Sequence, residues 1–430
     1  MPDALEVDLS SANGCDLLRA LAQRHGEPLA AAARSLAQLF LLRAPWAPGL
    51  RFVGGTVRAT LPVGIEPARF EGADVTLSVG GGGATIEDAL ANCIGEAVER
   101  QSQFRRPGDI ATVASVCDVS DRLQPGIRHR IARLCKAAGY DHQRTFDWLE
   151  ARLPLTPKTC LVPADWCLRS QTSGPLGLPG TALSTGVAAG RSFEAAALRA
   201  VLELIERDAV ALWWIGGRRG HAPSMEAAAT GEAHALLGAL RHGRQDRVSW
   251  ILDLTSDLRV PVMAALSADR DGYGLVCGFA ARLDASDAVR AAIYEMCQME
   301  LGLNIAEARN GMQASRPLPE DDRARLALAR EIDTRSCALL HPAGTVAGAD
   351  CASASMQTGE AFPTLLRHLD GLGVEVALLD LTRPEFGIPV AAAVAPALQL
   401  MPSELVTDRL DAAIAASGGS EGFTKGLPLF

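Results

Sequence analysis

Several signals of common protein classes are missing from this 430-residue chain. None of its ten cysteines forms a C-x-x-C pair or a Cys/His cluster with zinc spacing, so neither a redox motif nor a zinc site is indicated. The acidic N-terminus lacks the apolar core of a signal peptide, and the apolar runs are too short to cross a bilayer. Scattered thiols of this kind are typical of reduced cysteines, so we expect a cytoplasmic protein.

Two familiar catalytic motifs and an excess of basic charge are also absent. There is no Walker-type G-x-x-x-x-G-K-[ST] loop and no G-x-S-x-G nucleophile elbow. The net charge of −9 argues against nonspecific binding to nucleic acid or to an anionic membrane, so neither is expected as a partner. With 48% hydrophobic and 21% charged residues, the composition is that of a globular protein.

An internal repeat organises the chain. A glycine-rich turn, Gly186–Gly190, leads into a predicted helix that carries Glu203, Glu206 and Arg207. Seven residues of this stretch recur at identical spacing 107 positions upstream, as Gly83, Thr85, Glu87, Ala89, Glu96, Glu99 and Arg100. A weaker third copy follows, with Asp284, Ala288, Glu295 and Gln298. Repeats of a supersecondary unit predict that the copies pack against one another.

The repeated glutamates indicate a particular chemistry if their helices lie side by side. Neighbouring carboxylates disfavour each other's ionised form, so such a cluster needs compensation. Oxygen ligands without His or Cys suit Mg²⁺, which prefers carboxylates together with substrate phosphates. Glycine turns at helix N-termini offer backbone amides to anions, and arginines grip phosphates bidentately. The alternative is that the glutamates are exposed and paired with neighbouring arginines; two copies in register make this alternative less favoured.

The pattern of elements predicts an α/β (α+β) fold. Residues 1–48 are expected to form a helical N-terminal segment, with helices at Asp16–Arg24 and Pro28–Leu42. Residues 49–430 are expected to form one interleaved catalytic body of repeated helix–strand units. A second repeat supports this, because Asp-Leu-Thr followed by Pro-Val occurs at Asp253–Val262 and again at Asp380–Val390.

At these residues the chain resembles the YcaO family of ATP-dependent enzymes that modify peptide backbones. The resemblance spans about residues 50–400 and is carried by EDALANCIGEAVERQS, STGVAAGRSFEAAALRAVLELIERDA, DAVRAAIYEMCQMELGL and DLTRPEFGIPVAAAVAPAL. It implies a YcaO-like fold that binds ATP and Mg²⁺ between the helices. It also implies that a backbone amide oxygen of a precursor peptide is activated by phosphorylation, so that Cys, Ser or Thr becomes a thiazoline or oxazoline.

The resemblance also assigns roles to residues. The implied metal ligands are Glu96, Glu99, Glu203, Glu206 and Glu295. The implied catalytic residues are Glu203, Glu206 and Arg207. The implied nucleotide-binding residues are Gly81, Gly83, Asn92, Arg100, Arg199 and Gln298. Four departures affect the nucleotide contacts, since the family often has Lys at Gly82, Ser at Asn92, Gln or His at Arg199 and Arg at Ala291. The tail KGLPLF is also unlike the Pro-x-Pro-x-Pro end of many azoline-forming members.

The leading interpretation is a cyclodehydratase of a peptide-antibiotic pathway such as bacteriocin biosynthesis. We expect its partners to be a precursor peptide, a separate E1-like or similar protein that binds the leader, and in some pathways a flavin dehydrogenase. We also expect a homodimer. Two alternatives stay open, namely a thioamide-forming enzyme and a YcaO-like scaffold subunit that does not turn over ATP. The departures at Gly82, Asn92 and Ala291 favour the scaffold, whereas retention of the five glutamates opposes it.

Overall fold

The computed structural model describes residues 4–59, 75–106, 108–141, 143–169, 185–224, 227–312, 317–344, 360–401 and 405–429. The helices are α1 (Ala12–His25), α2 (Glu27–Ala32), α3 (Ile86–Ser102), α4 (Pro125–Ala138), α5 (Phe193–Trp214), α6 (Ala227–Arg241), α7 (Ala285–Met312), α8 (Glu320–Glu331), α9 (Ala361–Gly371), α10 (Asp408–Ser417) and α11 (Glu421–Thr424). The strands are β1 (Ala4–Glu6), β2 (Leu36–Arg43), β3 (Arg51–Ala59), β4 (Val75–Gly83), β5 (Thr112–Ser115), β6 (Thr145–Arg152), β7 (Thr159–Pro163), β8 (Val187–Ala189), β9 (Arg247–Asp253), β10 (Val262–Asp269), β11 (Val276–Ala281), β12 (Ala377–Asp380) and β13 (Val390–Val394).

These strands form three sheets, and every pairing between named strands is antiparallel. The first sheet has the order β1-β2-β3-β4 and the second has β11-β10-β9. The third runs β5-β6-β12-β13-β8, with β7 paired to β6. Helices and antiparallel sheets are therefore mixed along the chain, which confirms the predicted fold class in its α+β form.

Each sheet contains the same three-stranded unit, and one strand of each unit leads directly into a glutamate-bearing helix. In the first unit the order is β2-β3-β4 and α3 follows β4; in another it is β9-β10-β11 and α7 follows β11. The remaining unit is β12-β13-β8 with α5 after β8. In each unit we call the strand that precedes the helix the inner strand (β4, β8 or β11), its neighbour the middle strand, and the third the outer strand. In the unit that contains α5, the outer and middle strands come later in the chain than the inner strand and the helix. The predicted repeat is thus a repeat of units, and one unit is assembled from distant segments.

The repeated Asp-Leu-Thr segment has the same local structure in both copies. The Asp253 carboxylate accepts from the Thr255 N–H at 2.8 Å, and the Thr255 hydroxyl accepts from the Val262 N–H at 3.2 Å. In the other copy the corresponding distances are 3.0 Å for Asp380 with Thr382 and 3.1 Å for Thr382 with the N–H of residue 390. The two segments are therefore equivalent turns, each connecting the outer to the middle strand of its unit.

The predicted helix over Pro28–Leu42 is wrong beyond Ala32. Residues Leu36–Arg43 form strand β2, which pairs with β1 on one side and with β3 on the other. Apolar residues in this run fit both helical and alternating spacing, and the ladder hydrogen bonds on both edges decide for the strand. The division at residues 48 and 49 stays a prediction, and the β2–β3 pairing crosses it.

Most residues of helix α5 are buried, and two buried indoles hold its C-terminal end. Trp213 Nε1 donates to the carbonyl of Leu339 at 3.0 Å, and Trp214 Nε1 donates to the carbonyl of Leu427 at 2.8 Å. Buried indole N–H groups that find acceptors stabilise both the packing and the orientation of a helix. These contacts therefore fix the helix that carries the second glutamate pair.

Within the described residues, no helix combines the length and apolar character needed to span a membrane.

Candidate active site on three glutamate-bearing helices

The N-termini of α3 and α5 are fixed by side-chain caps. Thr85 accepts a hydrogen bond from the N–H of Asp88 at 3.1 Å, and Ser192 accepts from the N–H of Ala195 at 3.2 Å. Thr85 and Ser192 occupy the same position in the two copies of the sequence repeat. Each cap satisfies one of the free amides of the first turn, so the two helices begin at equivalent positions after their inner strands.

The inner strand of a unit lies unusually close to its helix because glycine replaces a side chain. A Cβ at Gly81 would overlap the backbone nitrogen of Cys93 in α3, and a Cβ at Gly278 would overlap that of Met296 in α7. Only glycine permits this approach of strand to helix. The close approach brings the strand amides within reach of the glutamate carboxylates.

The first glutamate of each helix binds the inner strand of its own unit. In every case a carboxylate oxygen accepts a hydrogen bond from a backbone N–H that lies 16 or 17 residues earlier in the chain. The three bonds are Glu96 with Gly80 at 2.7 Å, Glu203 with Gly186 at 3.1 Å and Glu295 with Phe279 at 2.8 Å. This repeated bond shows that the third copy, although weaker in sequence, is structurally equivalent to the other two.

The second glutamate of each pair binds the inner strand of the next unit. Glu99 on α3 accepts from the N–H of Ala189 at 2.7 Å, and Glu206 on α5 accepts from the N–H of Ala281 at 3.2 Å. The matching residue on α7 is Gln298, whose side chain lies so close to Gly82 of β4 that a Cβ there would overlap it. Helices α3, α5 and α7 therefore contact the strands β8, β11 and β4 in turn, which closes a ring of three units.

The ring explains one departure from the family pattern. Because the Gln298 side chain occupies the space beside Gly82, position 82 has no room for the lysine that the family often has there. Asn92, the second departure, donates from Nδ2 to the Gly82 carbonyl at 2.9 Å. The two unusual residues thus contact each other within the first unit. No contact of Ala291 explains the departure at that position.

Three of the five glutamates, Glu99, Glu203 and Glu295, have pKa values above the ordinary range. Burial raises the pKa of Glu99 to about 8, and the neighbouring Glu203 and Glu96 add to the increase while the Ala189 N–H opposes it. Burial also raises the pKa of Glu203 to about 7, where Glu206 adds to the effect and Arg207 opposes it. The pKa of Glu295 is raised as well, by burial and then by Glu206. The predicted convergence of the glutamates is therefore present, and each carboxylate has another as a neighbour.

Arginines compensate part of this negative charge. Arg207 lies 3.8 Å from both Glu203 and Glu206, and Arg100 lies 2.5 Å from Glu96. Burial lowers the pKa of Arg207, but the surrounding glutamates outweigh burial and the net pKa is raised. Arg207 therefore stays a cation beside the two glutamates of α5.

The remaining residues predicted to bind nucleotide surround the same strands. Arg199 donates to the carbonyl of Ala189 at 3.4 Å, next to the amide that Glu99 binds. Gly81 and Gly83 are the closing residues of β4, and Gln298 and Asn92 contact Gly82 between them. All predicted site residues are thus brought to one region, while their contacts with a nucleotide stay a prediction.

The donor set fits Mg²⁺ that is completed by a substrate. In the parts of the chain that the structure describes, no group of three or more His, Cys, Asp or Glu side chains is arranged to hold an ion by itself. The glutamates instead form neighbouring pairs of oxygen donors. Burial raises the pKa values of Glu99 and Glu203 in these pairs, and a cation would stabilise their ionised form. Mg²⁺ is usually bound in this way, through one or two carboxylates together with substrate phosphates, and seldom by protein ligands alone.

One buried charge beside the site was not predicted. Asp208, directly after Arg207, has no exposed surface and accepts from Arg409 of α10 at 2.8 Å and from the N–H of Gln399 at 2.8 Å. Arg409 also binds Asp257, at 2.7 Å, in the turn after β9. An aspartate in the middle of an apolar helix pattern was the available signal, because such a residue is seldom buried without a partner.

Three comparisons relate the chain to known proteins. A family model described as YcaO cyclodehydratase, ATP- and Mg²⁺-binding, matches residues 80–399. An uncharacterised protein of Methanothermobacter thermautotrophicus is 30% identical over 255 residues, which are 56% of this chain and 62% of that protein. The family description names the two cofactors that the sequence predicts, ATP and Mg²⁺, and so confirms that prediction.

Solved structures share the fold at low sequence identity. A heterocyclase in complex with substrate and cofactor has a TM-score of 0.68 at 22% identity, covering 93% of this chain and 55% of its own. YcaO of Methanopyrus kandleri, bound with AMPPCP and Mg²⁺, has a TM-score of 0.57 at 20% identity, covering 91% of this chain and 92% of its own. The E. coli microcin synthetase McbBCD complex with pro-MccB17 bound contains a chain with a TM-score of 0.61 at 13% identity. The match covers 92% of this chain and 91% of the microcin synthetase chain.

This chain spans less than two thirds of the Methanothermobacter protein and about half of the first heterocyclase. The match to the family model nevertheless covers the end of β4, all of β8 and β11, the three glutamate-bearing helices and both Asp-Leu-Thr turns. The protein therefore belongs to the YcaO family.

Proposed function

We propose that this protein is an ATP- and Mg²⁺-dependent cyclodehydratase that converts Cys, Ser or Thr of a precursor peptide to thiazoline or oxazoline. In this reaction the side-chain thiol or hydroxyl adds to the carbonyl carbon of the preceding amide. The amide oxygen takes the γ-phosphoryl group of ATP and leaves as phosphate while the ring C=N bond forms. The family and its heterocyclase relatives support this class of reaction.

The observation that carries the proposal is the ring of three units, whose helices carry the five glutamates. Each carboxylate is positioned by a backbone amide, and two of these bonds join different units. A carboxylate has about four lone-pair sites, so a glutamate that accepts one hydrogen bond still has capacity to bind a cation. Placing so many acids beside one another is unfavourable without a ligand, which is why perturbed carboxylates of this kind mark functional sites.

Glu96, Glu99, Glu203, Glu206 and Glu295 are the residues that would hold Mg²⁺. The ion would supply neutralisation of negative charge at the transferring phosphoryl group. Arg207 contributes a fixed cation between two of the glutamates, and its planar guanidinium suits two phosphate oxygens. Glu203, Glu206 and Arg207 are therefore the side chains that we assign to the reaction itself.

The positions around Gly82 supply the predicted nucleotide contacts. Gly81 and Gly83 keep the strand free of side chains where it approaches α3. Asn92 and Gln298 meet at Gly82 and present amide groups, which donate and accept hydrogen bonds, where the family often has charged or hydroxyl side chains. Arg100 and Arg199 provide cations beside the glutamates of α3 and the end of β8.

Mass spectrometry of the peptide product tests the proposal. The protein, its leader-binding partner and a candidate precursor peptide are co-expressed, and the peptide mass is compared with that from a Glu203→Gln strain. Loss of one water mass per reacted residue, absent with the variant, is expected. A gain equal to sulfur minus oxygen identifies the thioamide-forming alternative, and an unmodified peptide beside normal Mg-ATP binding identifies the scaffold.

A further inference from the structure

Strand β9 lies at the end of its sheet. The equivalent strands of the other two units, β2 and β12, are each paired with a further strand. In the first unit β1 pairs along β2, and in the unit that contains α5 strand β6 pairs with β12. On the edge of β9 that faces away from β10, the pairing found in the described ranges is a single bridge between His221 and Asp253, with N–O distances of 2.9 and 3.0 Å. The edge before Asp253 faces no strand in those ranges.

The repeated Asp-Leu-Thr turns identify which residues of β9 have backbone groups that point away from β10. Asp253 corresponds to Asp380, so Ile251 corresponds to Leu378, which pairs with Arg152 of β6. The N–H of Leu254 points inward to the carbonyl of Val262 at 2.8 Å. Backbone direction alternates along an antiparallel strand, so the N–H and C=O groups of Ile251 and Ser249 point outward. Strand β6 fills this position in the sister sheet, whereas among the described residues no strand fills it beside Ile251 and Ser249.

A groove runs along this edge. A cavity of about 300 Å³ is lined by Ser249, Trp250 and Ile251. Because consecutive strand residues point to opposite faces, a cavity that contacts all three lies at the strand edge. Ala233 and Leu237 of α6 form the opposite wall. A groove between a strand edge and a helix accepts one added strand, whereas a whole sheet of a second copy would meet α6.

The groove is apolar at one end and basic at the other. A second cavity of about 240 Å³ shares Ser249 and Leu237 with the first and extends to Arg244. The exposed Arg244 donates to the carbonyl of Pro45 at 2.7 Å. Within the described residues no carboxylate lies within ion-pair distance of Arg244, so this end favours an acidic side chain on the molecule that occupies the groove.

We propose that the groove between β9 and α6 binds the peptide substrate as an added antiparallel strand. Its backbone pairs with Ser249 and Ile251, apolar side chains enter the larger cavity, and an acidic residue lies towards Arg244. This assignment rests on the proposed function, because that function makes an extended peptide the substrate. Backbone pairing along a sheet edge tolerates many sequences, while the cavities beside the edge select among them.

Fluorescence anisotropy with a synthetic peptide tests the pairing. The probe is a labelled octapeptide in which valine alternates with threonine and the last residue is glutamate. Two further versions carry N-methyl groups on one or the other alternate set of backbone amides. A strand presents only one set to β9, so methylation of that set should weaken binding at least tenfold while methylation of the other set leaves it nearly unchanged. Equal loss with both sets, or no binding of the unmethylated probe, overturns the proposal.

A matched pair of variants tests the location. Ala233→Phe fills the groove from α6, and Ala235→Phe places the same side chain at an exposed position of that helix. Only the first should weaken probe binding, and both should bind Mg-ATP as the native protein does in calorimetry. Normal probe binding by Ala233→Phe overturns the assignment. The assignment is also overturned if Ala233→Phe retains probe binding and sedimentation shows instead that it has lost a dimer. Because Mg-ATP binding is measured separately, failure of the groove is distinguishable from failure of the proposed ATP site.

Discussion

The Glu99 carboxylate accepts a hydrogen bond of 2.7 Å from the N–H of Ala189, although 90 residues separate the two in the chain. The bond joins the first unit to the unit that contains α5, and Glu206 with Ala281 repeats it between that unit and the third. The site thus depends on how three units meet. Its ionisation, its stability and its ligand binding should change together when this arrangement is altered.

Glu203→Gln should abolish ATP turnover without loss of fold. The change keeps the size of the side chain and removes one of several neighbouring negative charges, so the metal-free protein should melt at the same temperature or slightly higher. Turnover should fall by about 100-fold or more, the loss typical of removing one electrostatic stabiliser of a transition state. Glu194→Gln, at an exposed position of the same helix, is the control for both measurements. A variant that melts lower and consumes ATP at the native rate contradicts the assignment of Glu203.

Nucleotide binding should require the metal. Because the glutamate cluster carries negative charge and the sequence has no Walker-type lysine, ATP alone should be repelled from the site. Calorimetric titration should show binding of ATP with Mg²⁺ and little binding in the presence of a chelator. Equal heats under both conditions would remove the argument for a carboxylate-held ion.

The metal-free protein should become less stable as the pH rises from about 4.5 to 8. The folded pKa values of Glu99, about 8, and Glu203, about 7, lie above the ordinary value of 4.5. The unfolded chain therefore releases these protons at lower pH than the folded protein does, and each step up in pH favours the unfolded chain. Denaturant unfolding with a chelator should show the decline, and Glu99→Gln should reduce it. Stability that rises over this range would show that the carboxylates are ionised in the folded protein.

Gly81→Ala should destabilise the protein by roughly 1–3 kcal/mol, the usual cost of forcing extra atoms into a packed interior. The added methyl group would overlap the backbone of α3 at Cys93, so the strand and helix must separate. Gly231→Ala, on the exposed side of α6 with open space around it, should stabilise by about 0.5–1 kcal/mol. Urea unfolding of both variants measures the difference. Similar effects at the two positions would show that β4 does not need glycine to approach α3.

The sequence by itself determined the local features of this protein. The caps Thr85 and Ser192, the glutamate spacing on α3 and α5, and the two Asp-Leu-Thr turns depend on residues within a few positions of each other. Their hydrogen bonds therefore follow from side-chain chemistry at fixed spacing. The family resemblance added the ATP and Mg²⁺ that a glutamate pattern alone leaves open.

Only the tertiary structure decided how the copies assemble. It placed β12 and β13 beside β8, made a strand of Leu36–Arg43, and joined Glu99 to Ala189 and Gln298 to Gly82. It also buried Asp208 against Arg409. These contacts join residues that are distant in the chain, and their free energy comes from burial and from hydrogen bonds that form only after the units have packed. A local sequence pattern does not specify such partners, because the same helix or strand could pack against many different neighbours.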